Sequence, residues 1–251
     1  MDRNKIINDI VISLDVDWAP DFIIDAVANM FLLNKVKATW FITHDSDGVQ
    51  RLIDHPDLFE IGVHPNFMSG STQGKNPFDI MTNVMSVVPN AKSVRTHGML
   101  YSAVLSRTFA VDFGLEIDSS IFLAEMPYII PHQVFYGDKS LIRMPYFWSD
   151  DGEMSITQSP SFELSNKEFN KPGLKILDFH PIHVFLNSEN MDNYNLLKKN
   201  VIIKDCTKED TKPFINIGNG SASLLQQIIR SNPNPGGFKT ISEIANDWKK
   251  S

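Results

Sequence analysis

Only one cysteine, Cys206, occurs in 251 residues, which excludes an internal disulfide and any cluster held by several thiolates. No apolar run approaches the roughly 20 residues that a membrane-spanning helix needs, so membrane insertion is not expected. Basic residues are in deficit, 23 against 30 acidic, for a formal net charge of -7. A nucleic-acid partner normally wants a basic patch, and none is expected here. The start, Met1-Asp-Arg-Asn-Lys-Ile-Ile, lacks the apolar core of a signal peptide. Together with a lone thiol suited to reducing surroundings, this predicts a soluble cytoplasmic protein. Internal repeats and low-complexity tracts are also lacking, and no stretch marks a domain boundary.

What is present is a strand-then-helix rhythm. Hydrophobic content of 42% with 21% charged residues describes a globular chain, and the length suits one α/β barrel. Ile10-Val-Ile-Ser-Leu-Asp15 reads as a buried strand, Asp21 to Asn34 as a helix, and Ala38 to Thr43 as a second strand. Further strands are expected at Phe59 to His64, Ser93 to Arg95, Ile117 to Phe122 and Leu174 to His180. Helices are expected at Val49 to Ile53, Phe78 to Val88 and Ala103 to Phe113. Tyr128 to Ile130, Val134 to Tyr136 and Leu141 to Met144 look like short strands in a hairpin excursion. Later helices are read at Tyr194 to Lys199, Ser221 to Arg230 and Ile241 to Lys249, with Asn232-Pro-Asn-Pro-Gly-Gly as a connector. The rhythm predicts a mostly parallel sheet or barrel in a single domain over 1–251, with its core at about 10–187 and a helical extension at about 188–251.

The polar residues fall where such a fold does chemistry. Asp15 and Asp17 are spaced i and i+2, so a strand would aim both into one pocket, although Asp and Pro also end ordinary strands. His64, Arg95 with His97, and His180 with His183 likewise lie at or just after strand ends, which in a parallel barrel share one rim. Carboxylate and imidazole suit zinc and related divalent ions. A nearby carboxylate and histidine could then serve as base and acid. Each histidine taken alone could equally be a capping or hydrogen-bonding residue.

Asp15-Val-Asp17, Ala38-Thr-Trp-Phe-Ile, Glu60-Ile-Gly-Val-His64, Ser93-Val-Arg95, Gly114-Leu-Glu-Ile-Asp118-Ser-Ser and Phe179-His180-Pro181 occur in one order. In that order the chain resembles the polysaccharide deacetylases, the NodB-homology group or carbohydrate esterase family four, over about Ile10 to Asn187. The wording Glu-Ile-Gly-Val-His-Pro-Asn-Phe and Asp-Phe-His-Pro-Ile-His-Val-Phe-Leu-Asn is most similar to the WbmS-like branch, associated with bacterial O-antigen synthesis. The resemblance implies a distorted or incomplete (β/α) barrel, here with C-terminal helices packed on it, and a divalent metal at the rim, most often zinc. It further implies Asp15 as base, Asp17 and His64 as metal ligands, Arg95 as the arginine holding the base, and His180 as general acid. Trp148, in Phe147-Trp-Ser-Asp-Asp, either walls the pocket and stacks on a sugar or is an ordinary semi-buried aromatic.

One position departs from the family. Met68 stands four residues after His64, where the second metal histidine belongs, and a thioether is a poor zinc ligand beside oxygen and imidazole donors. His97 is the first candidate to replace it. His183, otherwise placed with the substrate, is the second, and Asn66 a distant third.

The expected function is therefore metal-dependent removal of an N-acyl group, acetyl above all, from a sugar or sugar-nucleotide precursor of a bacterial surface polysaccharide. Two alternatives stand beside it: a metal-free carbohydrate-binding descendant of the fold, and an amidohydrolase acting on a non-sugar amide.

Overall fold

The structure, a computed structural model, describes residues 7–232 and 237–250. The first six residues and most of the 232–237 connector, both read from sequence above, lie outside the described residues. The strands are β1 (Ile10–Asp15), β2 (Ala38–Ile42), β3 (Phe59–Val63), β4 (Ser93–Val94), β5 (Ile117–Asp118), β6 (His132–Tyr136), β7 (Lys139–Arg143), β8 (Trp148–Ser149) and β9 (Lys175–Phe179). They form one sheet in the order β6-β7-β5-β4-β3-β2-β1-β9-β8. Every pairing is parallel except the β6–β7 hairpin, whose two-residue loop turns at left-handed Gly137. Because β6 and β8 remain the two edges, the curled sheet is an incomplete barrel.

Burial explains the central strands. Val11, Ile12 and Leu14 of β1 are inaccessible to solvent, as are Ala38, Trp40, Phe41 and Ile42 of β2. Such continuous apolar runs are what a parallel strand covered on both faces requires. The covering helices include α1 (Asp21–Asn34), which turns its Ile23, Ile24, Val27 and Phe31 inward. Lys35 ends it in a left-handed conformation whose N–H returns to the last carbonyls. The others in this half are α2 (Asp47–Ile53), α3 (Pro77–Val87) and α4 (Ala103–Val111), each capped by a Ser or Asn side chain accepting from the first turn.

The second half departs more from expectation. The strand expected over Ile117 to Phe122 stops at Asp118 and resumes only as a bridge between Phe122 and Tyr146. Strand β8 leads directly into α5 (Asp150–Ile156), capped by Ser149, and β9 into α6 (Pro181–Leu186). Neither helix is foreseen in the sequence, because each spans only about two turns and carries little periodic pattern.

The extension contributes α7 (Asp192–Asn200), α8 (Lys208–Thr211), α9 (Ser221–Ser231) and α10 (Ile241–Lys250). Helix α9 buries Leu224, Leu225, Ile228 and Ile229 beside α6. Helix α10 closes the amino-terminal end of the sheet. There Thr39 Oγ1 accepts from the Ile241 N–H at 3.0 Å, and Glu60 accepts from both the backbone N–H and the hydroxyl of Ser242. The carboxyl-terminal end is left for the site. No helix among the described residues is long and apolar enough to cross a membrane.

Candidate active site

The carboxyl ends of β1, β3, β4, β8 and β9 surround a cavity of about 310 Å³. Asp15 is the last residue of β1 and Asp17 lies two beyond it. Asp17 and Trp18 both adopt left-handed backbone conformations, with φ of 45° and 56°. For a residue as bulky as Trp this is a strained arrangement, of order 1–3 kcal/mol, that the surroundings must impose. The turn is held from outside, since the Trp18 N–H donates to Thr43 Oγ1 at 3.0 Å.

Two imidazoles converge on Asp17. Its Oδ1 lies 3.2 Å from His64 Nε2 and 2.9 Å from His97 Nδ1. The two rings meet edge to face at 5.4 Å. His64 follows β3 directly and is buried, its N–H donating to Ile42 O. His97 opens a short turn after β4. Gly98 follows it with φ of 64°, and a Cβ there would stand 2.9 Å from the Met68 sulfur. Glycine therefore lets the chain turn against Met68 while His97 faces back to Asp17. Burial alone would push the Asp17 carboxyl up, yet hydrogen bonds from His64 and His97 hold it well below the usual carboxylate range. Burial likewise opposes charge on His97, and its contact with Asp17 raises it above the ordinary histidine value.

Behind this cluster lies a second, fully buried one. Arg95 Nη1 donates to Asp15 Oδ1 at 3.0 Å and also to Asp178 Oδ1, while the other guanidinium nitrogens reach Ser119. The guanidinium is sandwiched between the rings of Phe41 and Tyr146. Burial works against its charge, and Asp15 and Asp178 more than compensate. Burial pushes the Asp178 carboxyl well up against the pull of Arg95, helped by the charge of Asp15.

The third group is a histidine–aspartate pair. His180 Nδ1 lies 2.8 Å from Asp150 Oδ1, and its Nε2 faces the cavity 3.7 Å from Asp17 Oδ2. Asp150 is itself fixed by the His180 backbone N–H and the Ser221 hydroxyl. Burial disfavours charge on His180, but the charges of Asp151 and Asp150 and the bond to Asp150 raise it well above the ordinary histidine value. Asp150 is pushed up by burial and drawn below its usual range by His180.

Of these groups, Asp17, His64 and His97 fit a divalent ion. Their donor atoms all lie within 4.8 Å of one another, one carboxylate oxygen facing two imidazole nitrogens. Tetrahedral zinc with bonds of about 2.0–2.2 Å separates its ligands by about 3.3 Å, close to the 2.9 and 3.2 Å found here. The sets Asp15–Asp178–His180 and Asp150–Asp151–His180 are also compact. Their carboxylates, however, are already engaged: Asp15 and Asp178 by Arg95, Asp150 by the His180 N–H and Ser221, and Asp151 by the Ser149 hydroxyl and the Gly152 N–H.

The remaining sequence candidates lie elsewhere. His183 is buried behind His180, its Nδ1 beside the Ser188 hydroxyl and its ring against Tyr194. The Asn66 side-chain oxygen accepts from the Met68 N–H. Trp148 does not line the cavity: it is buried among Phe162, Phe169 and Phe179, and its indole N–H donates to Glu153 at 2.9 Å. The second reading of Trp148, an ordinary buried aromatic, describes its place. Conversely, Asp150 and Asp178 were not singled out in the sequence. Asp178 carries the same signal as Asp15, a carboxylate two residues before another polar strand-end group. Asp150 carries none, because only the β8–β9 pairing brings it to His180.

Comparisons with known proteins bear on the family and the fold. A family model described as WbmS-like polysaccharide deacetylase matches residues 12–198. A solved structure from Bordetella bronchiseptica, whose name gives a polysaccharide deacetylase involved in O-antigen biosynthesis, is 28% identical with a TM-score of 0.78. That match covers 89% of this chain and 90% of the other. A 4-alpha-glucanotransferase from Thermococcus litoralis matches at a TM-score of 0.51 with 10% identity, covering 96% of this chain and 38% of that one, a likeness of fold alone. No curated protein matches by sequence.

Proposed function

The chain belongs to the WbmS-like polysaccharide deacetylase family, and from that premise we propose that it hydrolyses the N-acyl group, acetyl first, of a sugar or sugar-nucleotide precursor of a surface polysaccharide. The observation that carries the reading is the arrangement of Asp15 and His180. Each is pinned from behind by a buried partner, Arg95 and Asp150, and both face the cavity that holds Asp17, His64 and His97.

Asp17, His64 and His97 would hold a divalent cation, zinc by their mix of one carboxylate and two imidazoles. When bound, it supplies Lewis acidity to the acyl carbonyl and to water. The chain's own groups do the proton work. Asp15, oriented by Arg95, takes the proton from the water that attacks the acyl carbon. As the new C–O bond forms and the C–N bond breaks, His180 Nε2 gives its proton to the departing amine. Asp150 accepts from Nδ1–H of His180 and favours the doubly protonated ring, whose Nε2–H then faces the cavity. His183 supports the His180 ring from behind, in the second row. We read the whole chain as one catalytic unit, working in the cytoplasm.

The test is acyl release from a panel of acetylated sugars and sugar nucleotides against simple amides, with Asp15→Asn and His180→Ala alongside. Release from sugars that disappears in both variants supports the reading. Equal or greater turnover of simple amides would overturn it.

A further inference from the structure

A second cavity, of about 410 Å³, meets the first at Asp17 and His97, which line both. Its far wall comes from the extension: Tyr194 and Lys198 on α7, and Ile202 to Lys204 just after it. Most of this wall lies beyond residue 198, where the family match ends. Trp18, held in its left-handed turn with its ring 5.4 Å from His97, lines the same cavity. An aromatic side chain and two lysines thus border a hollow adjoining the proposed hydrolytic centre, in a protein whose overall charge is -7.

We propose that this hollow is a subsite for an anionic substituent of the substrate, a phosphate or a carboxylate on the acylated sugar, gripped by Lys198 and Lys204 with Trp18 packed on the sugar. The proposal rests on the deacetylase reading above and narrows its substrate class. Both ammonium groups are available for such a ligand. Lys198 Nζ lies over the Tyr194 ring at 5.1 Å, a contact that directs the side chain without neutralising it. Lys204 pairs with Asp205 at 2.9 Å, but more than half of each side chain is exposed, and a pair so well solvated yields readily to a multiply charged ligand. The acidic group shared by the two cavities, Asp17, is already faced by His64 and His97, so its charge is compensated within its own cluster. Lysine suits this task as a mobile point charge that needs no fixed bidentate geometry.

The test is equilibrium binding to the full-length protein, with its native metal content, by calorimetry. Three forms of one N-acetylhexosamine serve as probes: the neutral methyl glycoside, the 1-phosphate, and the corresponding uronate. Wild type is expected to bind at least one charged form about tenfold more tightly than the neutral one, an advantage that shrinks with added salt. The double variant Lys198→Ala/Lys204→Ala is expected to lose that advantage while binding the neutral form as before. Preference for the 1-phosphate or for the uronate tells which anion the subsite takes. Equal affinity for all three forms, no measurable binding of either charged form, or a preference unchanged in the double variant would overturn the proposal. Acyl release measured on the same probes separates the two readings. Charge preference without release sinks the deacetylase reading alone, whereas release indifferent to charge sinks the subsite alone.

Discussion

Asp15 and Asp178 share a single donor: Nη1 of Arg95 reaches both carboxylates, which are distant in the chain but side by side at the ends of β1 and β9. In the mechanism proposed above, Asp15 acts as base and Asp178 completes its setting. Replacing Arg95 with Lys leaves a charge but no planar fork to hold two carboxylates. Arg95→Lys is expected to lower kcat by about 100-fold or more with little change in KM, which steady-state kinetics would register. Arg95→Ala leaves two carboxylates buried and unpaired and should cost about 3–5 kcal/mol in denaturant unfolding.

Asp178 invites the opposite treatment. Its carboxyl is pushed well up by burial and by the charge of Asp15. A carboxyl whose folded value lies above its unfolded one contributes stability at pH below the ordinary Asp value and loses it as pH rises through the folded value. The amide of Asp178→Asn mimics the protonated form, so this variant should lie within about 1 kcal/mol of wild type at pH below the folded value of Asp178. Thermal unfolding followed across pH should show it gaining on wild type as pH rises through that folded value.

The His180–Asp150 pair predicts the alkaline limb of the pH–rate profile. Asp151 and Asp150 raise His180 well above the ordinary histidine value, so it carries its proton at neutral pH and kcat should fall only as pH climbs through that raised value. Asp150→Asn removes the neighbouring charge and should shift the limb toward acid. The stability this pair gives is present below the ordinary histidine value and lost as pH rises through the raised folded one. Asp150 contributes in the other direction, its share being lost as pH falls through its depressed value. At neutral pH Asp150→Asn should cost about 1.5–3 kcal/mol.

Trp148 separates packing from substrate contact. Its indole sits among three phenylalanines, beside a buried Glu153–Lys167 pair. Trp148→Ala should destabilise by about 3–5 kcal/mol, whereas Trp148→Phe, which keeps an aromatic ring there, should leave KM for any sugar substrate unchanged.

Much of this was legible along the chain, for physical reasons. Central strands covered on both faces are rich in apolar residues, so β1, β2, β3 and β9 announce themselves, and parallel order then sends the residues at their ends to one rim. Asp15, Asp17, His64, Arg95, His97 and His180 are all found around the same end of the sheet. Short elements are another matter. Strand β8 has two residues and α5 has seven, too few for a periodicity to show. That is why Asp150 is not singled out in the sequence and Trp148 is left there between a pocket wall and an ordinary aromatic. The replacement for the histidine missing at Met68 was narrowed by strand-end position to His97, His183 or Asn66. Only the three-dimensional arrangement shows His97 beside Asp17, with His183 and Asn66 bonded to Ser188 and Met68 instead.

The ion itself is the most direct test of the account. Metal content of the purified protein should be measured by mass spectrometry for wild type, Asp17→Ala, His64→Ala, His97→Ala and His183→Ala, each checked for folding by circular dichroism. The account predicts about one divalent ion, zinc, per wild-type chain, lost from the first three variants together with acyl release and retained by His183→Ala. A folded His97→Ala protein that keeps its full metal content, or a folded wild type that binds none from a zinc-supplemented medium, would contradict it.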